Sequence, residues 1–573
     1  SLFALVTIAV AASGFSAAAT PHAYENTDQA NIGAMILRLS DPTVLARDYV
    51  FRDTRLFRFY TPGYLALIGS LMRWTGSFDY ALAALAPIVL FVYLTGSFLL
   101  LYQVTRRSLA SAIISVVSAF PKLSIAATFW GVAGADIVMP RTLFTMLVPW
   151  LLLGWFRWCE DESWWKLPLV SLCVGLGANL HPVSGFVMLQ VLLVLLCFGE
   201  RPSVATLGRV ALCAAAAVVG VWPTLSNFVR GSALVPETGD AGAVPFHLVY
   251  AVLHDRLGTL FPIHPSFLTL GPFSLGRTQQ IGAVALYVGV MVPLAVAWVR
   301  TLAESASRPS PRVLFTLLLL VQLPLATLLT RFGQPGLVGL VALYPLLLRD
   351  RAPDDWDWRF LGWMIAVISL GYVALPLLDF LWLRLEWRSL TSLVGEQLRI
   401  SRFIYLPLFV FAARVLAELE RRLAPGWKRT ALVLSLGLVV LGLDAPAALR
   451  AACAPPASAR ERDAFALYDW ARTETDRDSL FYFDSADFRF RAERSITHGW
   501  KDVGLAYYAG DVAVRFHARY FAFQRGYRDP RKLRRIAAAH DVDYVVVDKQ
   551  RHGDLSPDLP VAFANDSFVV YRF

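Results

Sequence analysis

YALAALAPIVLFVYLTGSFLLLYQVTRR, residues 80–107, decides the class of this protein. No charged residue interrupts the run before Arg106 and Arg107. A bilayer core takes roughly 20 apolar residues per helix, so the run is long enough to span one. Its basic end is what the cytoplasmic side of a span tends to carry. Similar runs lie on both sides of it. Read by the same rule, spans are expected near 1–19, 80–102, 109–126, 140–156, 167–180, 183–198, 209–223, 280–299, 313–330, 336–348, 360–381, 403–419 and 430–448, about thirteen in all.

The composition fits. Of 573 residues, 56% are hydrophobic and only 17% charged, where a soluble globular protein would carry about 25% charge. Mean hydropathy is +0.52. The net charge of +10 and pI near 9.4 would suit a nucleic-acid binder. The basic residues, however, are spread among short loops between apolar runs, so no nucleic-acid partner is expected. Cys173, Cys197 and Cys213 sit inside apolar runs, while Cys159 and Cys453 stand alone in polar stretches. With no CxxC spacing, neither a disulfide framework nor a zinc site is expected.

Loop charge sets the topology. If the first helix runs outward, the inside loops hold Arg106-Arg107, then Arg157 and Lys166, then Arg201 and Arg209. Next come Arg300, Arg308 and Arg312, then Arg349, Arg351 and Arg359, and finally Arg421, Arg422, Lys428 and Arg429. Each is short and basic, as the positive-inside rule requires. Removing the run at Ser1–Thr20 would invert every later loop. That run therefore reads as a first membrane helix whose cytoplasmic start precedes Ser1, rather than as a signal peptide. The outer side receives 20–79, 127–139, 224–279 and 382–402, the turn at 181–184, and the tail from about 450. The expected organisation is a membrane domain over 1–450 and a soluble, extracytoplasmic α/β domain over 451–573. In that tail, Asp463–Arg472 and Arg531–His540 read as helices. Leu480–Phe483, Tyr544–Val547 and Phe568–Phe573 read as strands, with no glycine-rich phosphate loop.

Candidate chemistry falls on the outer side. Glu25 and Asp28 follow the first span, where a carboxylate can serve as a general base or help to bind a metal. The plainer reading is that Thr27 or Asp28 starts a helix. Arg47, Arg52 and Arg55 follow, and Arg52 and Arg55 could clamp a phosphate. Asp136 and Arg141 flank the next outer turn, as a functional or a structural pair. His181 stands at the outer end of a span and could bind phosphate or acceptor, or only cap a helix. Arg399 and Arg402 sit three apart on one face at an outer helix end, against the positive-inside bias. An anionic lipid head group would account for them, as would snorkelling. His254, Asp255 and His264 in the long loop 224–279 have only a weak metal-like spacing. That loop suits a segment closing over substrate.

This layout resembles the integral-membrane glycosyltransferases of the GT-C fold class, which use polyprenyl-phosphate-linked sugars. The resemblance implies a GT-C-like polytopic α-helical membrane fold. It also implies an acidic residue in the first outer loop, here Asp28 or Glu25, and a second in the next outer loop, here Asp136. Arg399 and Arg402 match a helix-end arginine that holds the lipid phosphate. Leu180-His181-Pro182, Trp500-Lys501-Asp502 and the strands at Asp543–Lys549 and Phe568–Phe573 look like features of bacterial members. No WWD-type acceptor signature occurs, and no adjacent Asp-Glu pair in the first outer loop, which argues against protein glycosylation.

The expected function is therefore transfer of a sugar from a polyprenyl-phosphate donor to a glycan or lipid acceptor, at the outer face of a bacterial plasma membrane. Asp28 or Glu25 would activate the acceptor, and Arg399, Arg402 and His181 would hold the lipid phosphate. Asp136 would position the acceptor or a divalent cation; the sequence names no other cofactor and does not fix whether a metal is needed. Two competing readings stand beside it. One is a non-catalytic subunit docking a membrane-complex partner through 451–573. The other is a transporter, against which the spans show few interior charges and no inverted repeat.

Overall fold

The computed structural model describes residues 28–119, 130–132, 138–158, 163–199, 203–234, 311–329, 335–344, 352–371, 398–423, 425–444, 458–499, 502, 510–527, 529–553 and 559–573. The chain divides into two compact units. One holds Ser1–Ala17, Leu85–Trp222 and His254–Cys453; the other holds Ala18–Ala84, Pro223–Leu253 and Ala454–Phe573. The soluble tail expected over 451–573 thus shares its unit with the first outer loop.

The first unit is helical. Wherever an expected apolar run falls among the described residues, a helix stands: Phe78–Thr105, Ser108–Ala119, Pro140–Trp158, Lys166–Ala178, Pro182–Gly199, Val204–Leu234, Pro311–Leu329, Pro335–Ala342, Asp355–Ser369, Tyr405–Arg422 and Trp427–Asp444. Among the described residues, Phe78–Thr105 and Val204–Arg230 are long and apolar enough to cross a membrane. Ser108–Ala119, Lys166–Ala178, Pro182–Cys197 and Leu314–Ala326 are apolar but shorter. At about 1.5 Å rise per residue the shorter ones fall below the thickness of a hydrocarbon core. The count of thirteen spans is not established, and the runs at 1–19 and 280–299 lie outside the described residues.

Small residues bring these helices together. A Cβ built on Gly175 would lie 2.1 Å from the Ala217 carbonyl oxygen, and one on Gly220 would lie 2.5 Å from that of Leu172. The Lys166–Ala178 and Val204–Leu234 helices therefore cross backbone to backbone, as close membrane packings do. The Asn179 amide donates to the Gly220 carbonyl beside the crossing at 2.9 Å.

The second unit is built on a sheet of order β2-β1-β3-β5-β4, with β1 Leu480–Asp484, β2 Ser495–His498, β3 Tyr544–Asp548, β4 Val561–Ala564 and β5 Phe568–Arg572. β1 runs parallel to β2 and β3, whereas β5 is antiparallel to β3 and β4. Side chains alternate across it as a pleated strand requires. Phe481, Phe483, Ile496, Val546 and Val570 pack with Leu467 of the Ala459–Glu474 helix on one face. Leu480, Tyr482, Val545, Val547 and Val569 pack with Phe523 and Leu533 on the other.

The first outer loop belongs to this body. Its helix Asp28–Ser40 lies on the short helix Ala486–Arg491, so closely that a Cβ on Gly33 would come within 2.7 Å of the Phe490 ring. Ion pairs join the loop to the tail: Arg47 to Asp541 and Asp543, Asp48 to Arg489, Asp79 to Arg491, and Asp41 to Arg477.

Candidate functional site

In the first unit, His181, Ser184 and Arg402 meet. Pro182 opens the Pro182–Gly199 helix, where the missing proline N–H costs nothing. The residue before it is turned out of helical backbone, and the His181 ring folds over the helix start. Its Nδ1 accepts the Ser184 amide at 3.1 Å and lies 2.6 Å from Ser184 Oγ. Because the amide can only donate, Nδ1 carries no proton, so the Ser184 hydroxyl donates to it. A guanidinium is donor-only, so Arg402 donates to the same Ser184 oxygen. The hydroxyl thus relays a polar contact from Arg402 to His181. Arg402 is 2% exposed and His181 8%.

An aromatic frame fixes Arg402 in place. It lies in the tight turn Leu398–Ile404 that leads into the Tyr405–Arg422 helix. Its guanidinium is 5.2 Å from the Phe403 ring centre. Trp363 Nε1 donates to the Phe403 carbonyl at 3.0 Å. Trp130 sets its edge against Phe403 and donates to the Tyr93 hydroxyl at 2.7 Å, which in turn donates to Ser118 Oγ at 3.0 Å. Outer segments read from three places in the sequence, at 130, 181–184 and 402–403, are therefore in contact.

Residues of the expected inside loop 349–359 meet neighbouring helices. Arg359 donates to the Phe156 carbonyl at 2.7 Å, and Arg414 pairs with Asp354 at 2.6 Å and Asp357 at 3.3 Å. Tyr344 donates to Asp357 at 2.6 Å.

The remaining candidates separate into groups. Asp28 lies in the helix Asp28–Ser40, of which it is the first described residue, and its charge reaches Tyr64, which is fully buried. Burial foremost, and the Asp28 carboxylate second, push the Tyr64 phenol well above its usual range. Arg55 is exposed and grips Asp53 through Nε at 2.8 Å and Nη2 at 2.6 Å. Arg52 is exposed beside the Tyr49 ring, 5.9 Å from its centre. Arg141 sits in the first turn of Pro140–Trp158, with Nη2 3.0 Å from Met139 Sδ. Arg399 shares the Leu398–Ile404 turn with Arg402. Glu25, Asp136, His254, Asp255 and His264 lie outside the described residues. Among the described residues no group of three or more His, Cys, Asp or Glu side chains could hold a metal ion.

The sequence reading missed a buried charge centre in the second unit. Arg489, Asp48 and Asp502 are all 0% exposed. Arg489 donates through Nε to Asp48 at 2.6 Å and through Nη2 to Asp502 at 2.8 Å. Asp48 also accepts the amides of Val50, Phe51 and Ile496, and Asp502 that of Gly499. Burial pushes Asp502 up to about 6 despite the Arg489 charge. Burial likewise pushes neighbouring His498, stacked on Phe523 with centroids 4.9 Å apart, down to about 4. Arg489 itself is held above its ordinary value, because Asp48 and Asp502 outweigh its burial.

No protein-family model matches the sequence, and no curated protein matches it. Among solved structures, the chain is similar to the archaeal oligosaccharyltransferase AglB from Archaeoglobus fulgidus in complex with an inhibitory peptide and a dolichol-phosphate. Identity is 12%, over 96% of this chain and 69% of that one, with a TM-score of 0.45. It is also similar to ArnT from Cupriavidus metallidurans bound to undecaprenyl phosphate, at 14% identity over 100% of this chain and 97% of that one, with a TM-score of 0.40. At these identities and scores the likeness is one of outline, and no residue role is taken from it.

Proposed function

We propose that this chain is a GT-C-type glycosyltransferase of a bacterial inner membrane, moving a sugar from a polyprenyl-phosphate donor to an extracytoplasmic glycan or lipid acceptor. One observation carries the reading. A buried guanidinium, Arg402, donates to Ser184, which His181 holds in turn, where helix ends read as outer from loop charge meet. Burying an arginine at the end of such helices is costly unless it meets an anion or a polar partner. A lipid phosphate, whose tail lies among the helices, fits that position.

In the proposed step the acceptor hydroxyl oxygen bonds to the anomeric carbon. The bond from that carbon to the phosphate oxygen breaks, and its electron pair leaves with the polyprenyl phosphate. Asp28 or Glu25 takes the hydroxyl proton. Arg402, with Arg399, meets the charge appearing on the leaving phosphate, while Ser184 and His181 fix the guanidinium. Asp136, with Arg141, would orient the acceptor or a divalent cation. Arg52 supplies positive charge at the outer surface, whereas Arg55 is matched to Asp53 and has the weaker claim.

Purified protein offered a panel of polyprenyl-phosphate sugars tests this. Asp28→Asn and Arg402→Gln should each lower transfer by about 10²-fold or more, the usual scale for losing a general base or a charge clamp. Ser184→Ala should lower it about tenfold, by freeing a side chain that Ser184 only positions. Wild-type turnover by both Asp28→Asn and Glu25→Gln, or no donor consumed by the wild type, sinks the reading.

A further inference from the structure

The C-terminal sheet carries a second place suited to a ligand. The chain leaves β1 to one side to form β2, while β3 lies along the other side of β1. Both pairings are parallel, so the carboxyl ends of β1 and β3 flank a point where the topology switches direction. In open α/β sheets ligands bind in the crevice outside such strand ends. Here a shallow, half-open cleft lies at that point, reached by Asp484 and Ser485 at the end of β1 and by Asp548 at the end of β3.

The lining decides the ligand's class. Three carboxylates, Glu461, Asp484 and Asp548, face two guanidinia, Arg460 and Arg551. The balance is negative, which works against a nucleotide, a phosphate or a carboxylate. The polar atoms are also held from behind. Asp548 is gripped by Arg460 at 2.6 Å and accepts the Gln550 amide at 3.0 Å. Asp484 accepts the Tyr520 hydroxyl at 2.9 Å and the Gln524 amide at 3.0 Å. Tyr468, Phe483 and Phe568 supply the apolar part of the lining. Fixed carboxylates and guanidinia that trade hydrogen bonds with hydroxyls, set over the largely buried rings of Tyr468, Phe483 and Phe568, suit the hydroxyl-bearing rim of a sugar ring.

We propose that this cleft binds a neutral sugar residue of a glycan. Naming that glycan the transfer acceptor rests on the glycosyl-transfer reading above; the binding does not. The test uses the full chain in lipid nanodiscs and neutral di- and trisaccharides of glucose, galactose and mannose, with binding read by ligand-observed NMR. At least one sugar should bind. Asp484→Asn and Arg551→Ala, a near-isosteric change and a half-exposed side chain, should each weaken it about tenfold with unchanged melting temperature. The inference is overturned if no sugar binds the wild type, if both variants bind as the wild type does, or if inorganic phosphate or ATP displaces the sugar. Sugar binding without transfer leaves the cleft standing and removes the transferase. Transfer without sugar binding does the reverse.

Discussion

Arg489 places one positive charge between two carboxylates that have no water to turn to. Breaking a buried pair by removing one partner strands the other charge and costs about 3–5 kcal/mol. Arg489→Met, close in length and apolar, should therefore destabilise the second unit by that amount. Arg489→Lys keeps the charge but loses the fork that engages both acids, and should fall between. Urea unfolding of the full protein, followed by protease resistance of the tail, measures this; an Arg489→Met midpoint equal to the wild type's would sink it. The sequence could not show this centre. Asp48 sits in Arg47-Asp48 and Asp53 beside Arg52 and Arg55, a run of alike acid–base neighbours. Asp53 closes locally on Arg55, while Asp48 reaches a partner 441 residues away. His181 and Arg402 were legible because each is polar at the end of an apolar run, where polarity needs a reason. Ser184 was not, since a serine early in a helix is ordinary until Arg402 arrives on it.

At the scale of elements, the contact between the Asp28–Ser40 helix and the Ala486–Arg491 helix turns on a missing methyl group. A Cβ on Gly33 would stand 2.7 Å from Phe490 Cδ2, and an aromatic ring cannot yield as a flexible chain end can. Gly33→Ala should cost about 1–3 kcal/mol, as overpacking does, despite alanine's better helix propensity. In a Phe490→Ala background the same change should be neutral or stabilising. Thermal melts of the wild type, the two single variants and the double variant form a double-mutant cycle; equal costs in both backgrounds would mean the two residues do not meet. Apolar periodicity made most elements legible, including β1, β3 and β5 and the helices at Ala459–Glu474 and Pro530–Ala539. β2, with the sequence Ser-Ile-Thr-His, lacks any apolar alternation and is buried only because its neighbours cover it. β4 is short and largely exposed. The helix Gly510–Gly526 mixes Arg, His and Gln with its aromatics, so its pattern says little until Phe523 is seen under the sheet.

For the whole molecule, helix ends meet in two places, Trp130 against Phe403 and Arg359 on the Phe156 carbonyl. The number of crossings did not follow, because apolar runs fix where helices form but not how much of each lies in lipid. The body that loop charge puts outside also has a predictable response to pH. Asp502, raised to about 6, holds a proton that the unfolded chain has already lost, so its contribution is present below about 3.8 and vanishes as pH rises through 6. His498, lowered to about 4, stays unprotonated where the unfolded chain takes a proton. Its contribution is present above about 6.5 and vanishes as pH falls through 4. Each amounts to roughly 3 kcal/mol, with opposite slopes in one window, so in the wild type they offset. Removing one should expose the other. Between about pH 4 and 6 the melting temperature of Asp502→Asn should rise with pH, that of His498→Gln should fall, and the wild type should lie flatter than either. Slopes rather than absolute stabilities are compared, so the level lost when Asp502→Asn weakens the Arg489 centre does not enter. Three parallel profiles would mean that neither group is held away from its ordinary range, and that the Asp502 and His498 environments are wetter than their full burial implies.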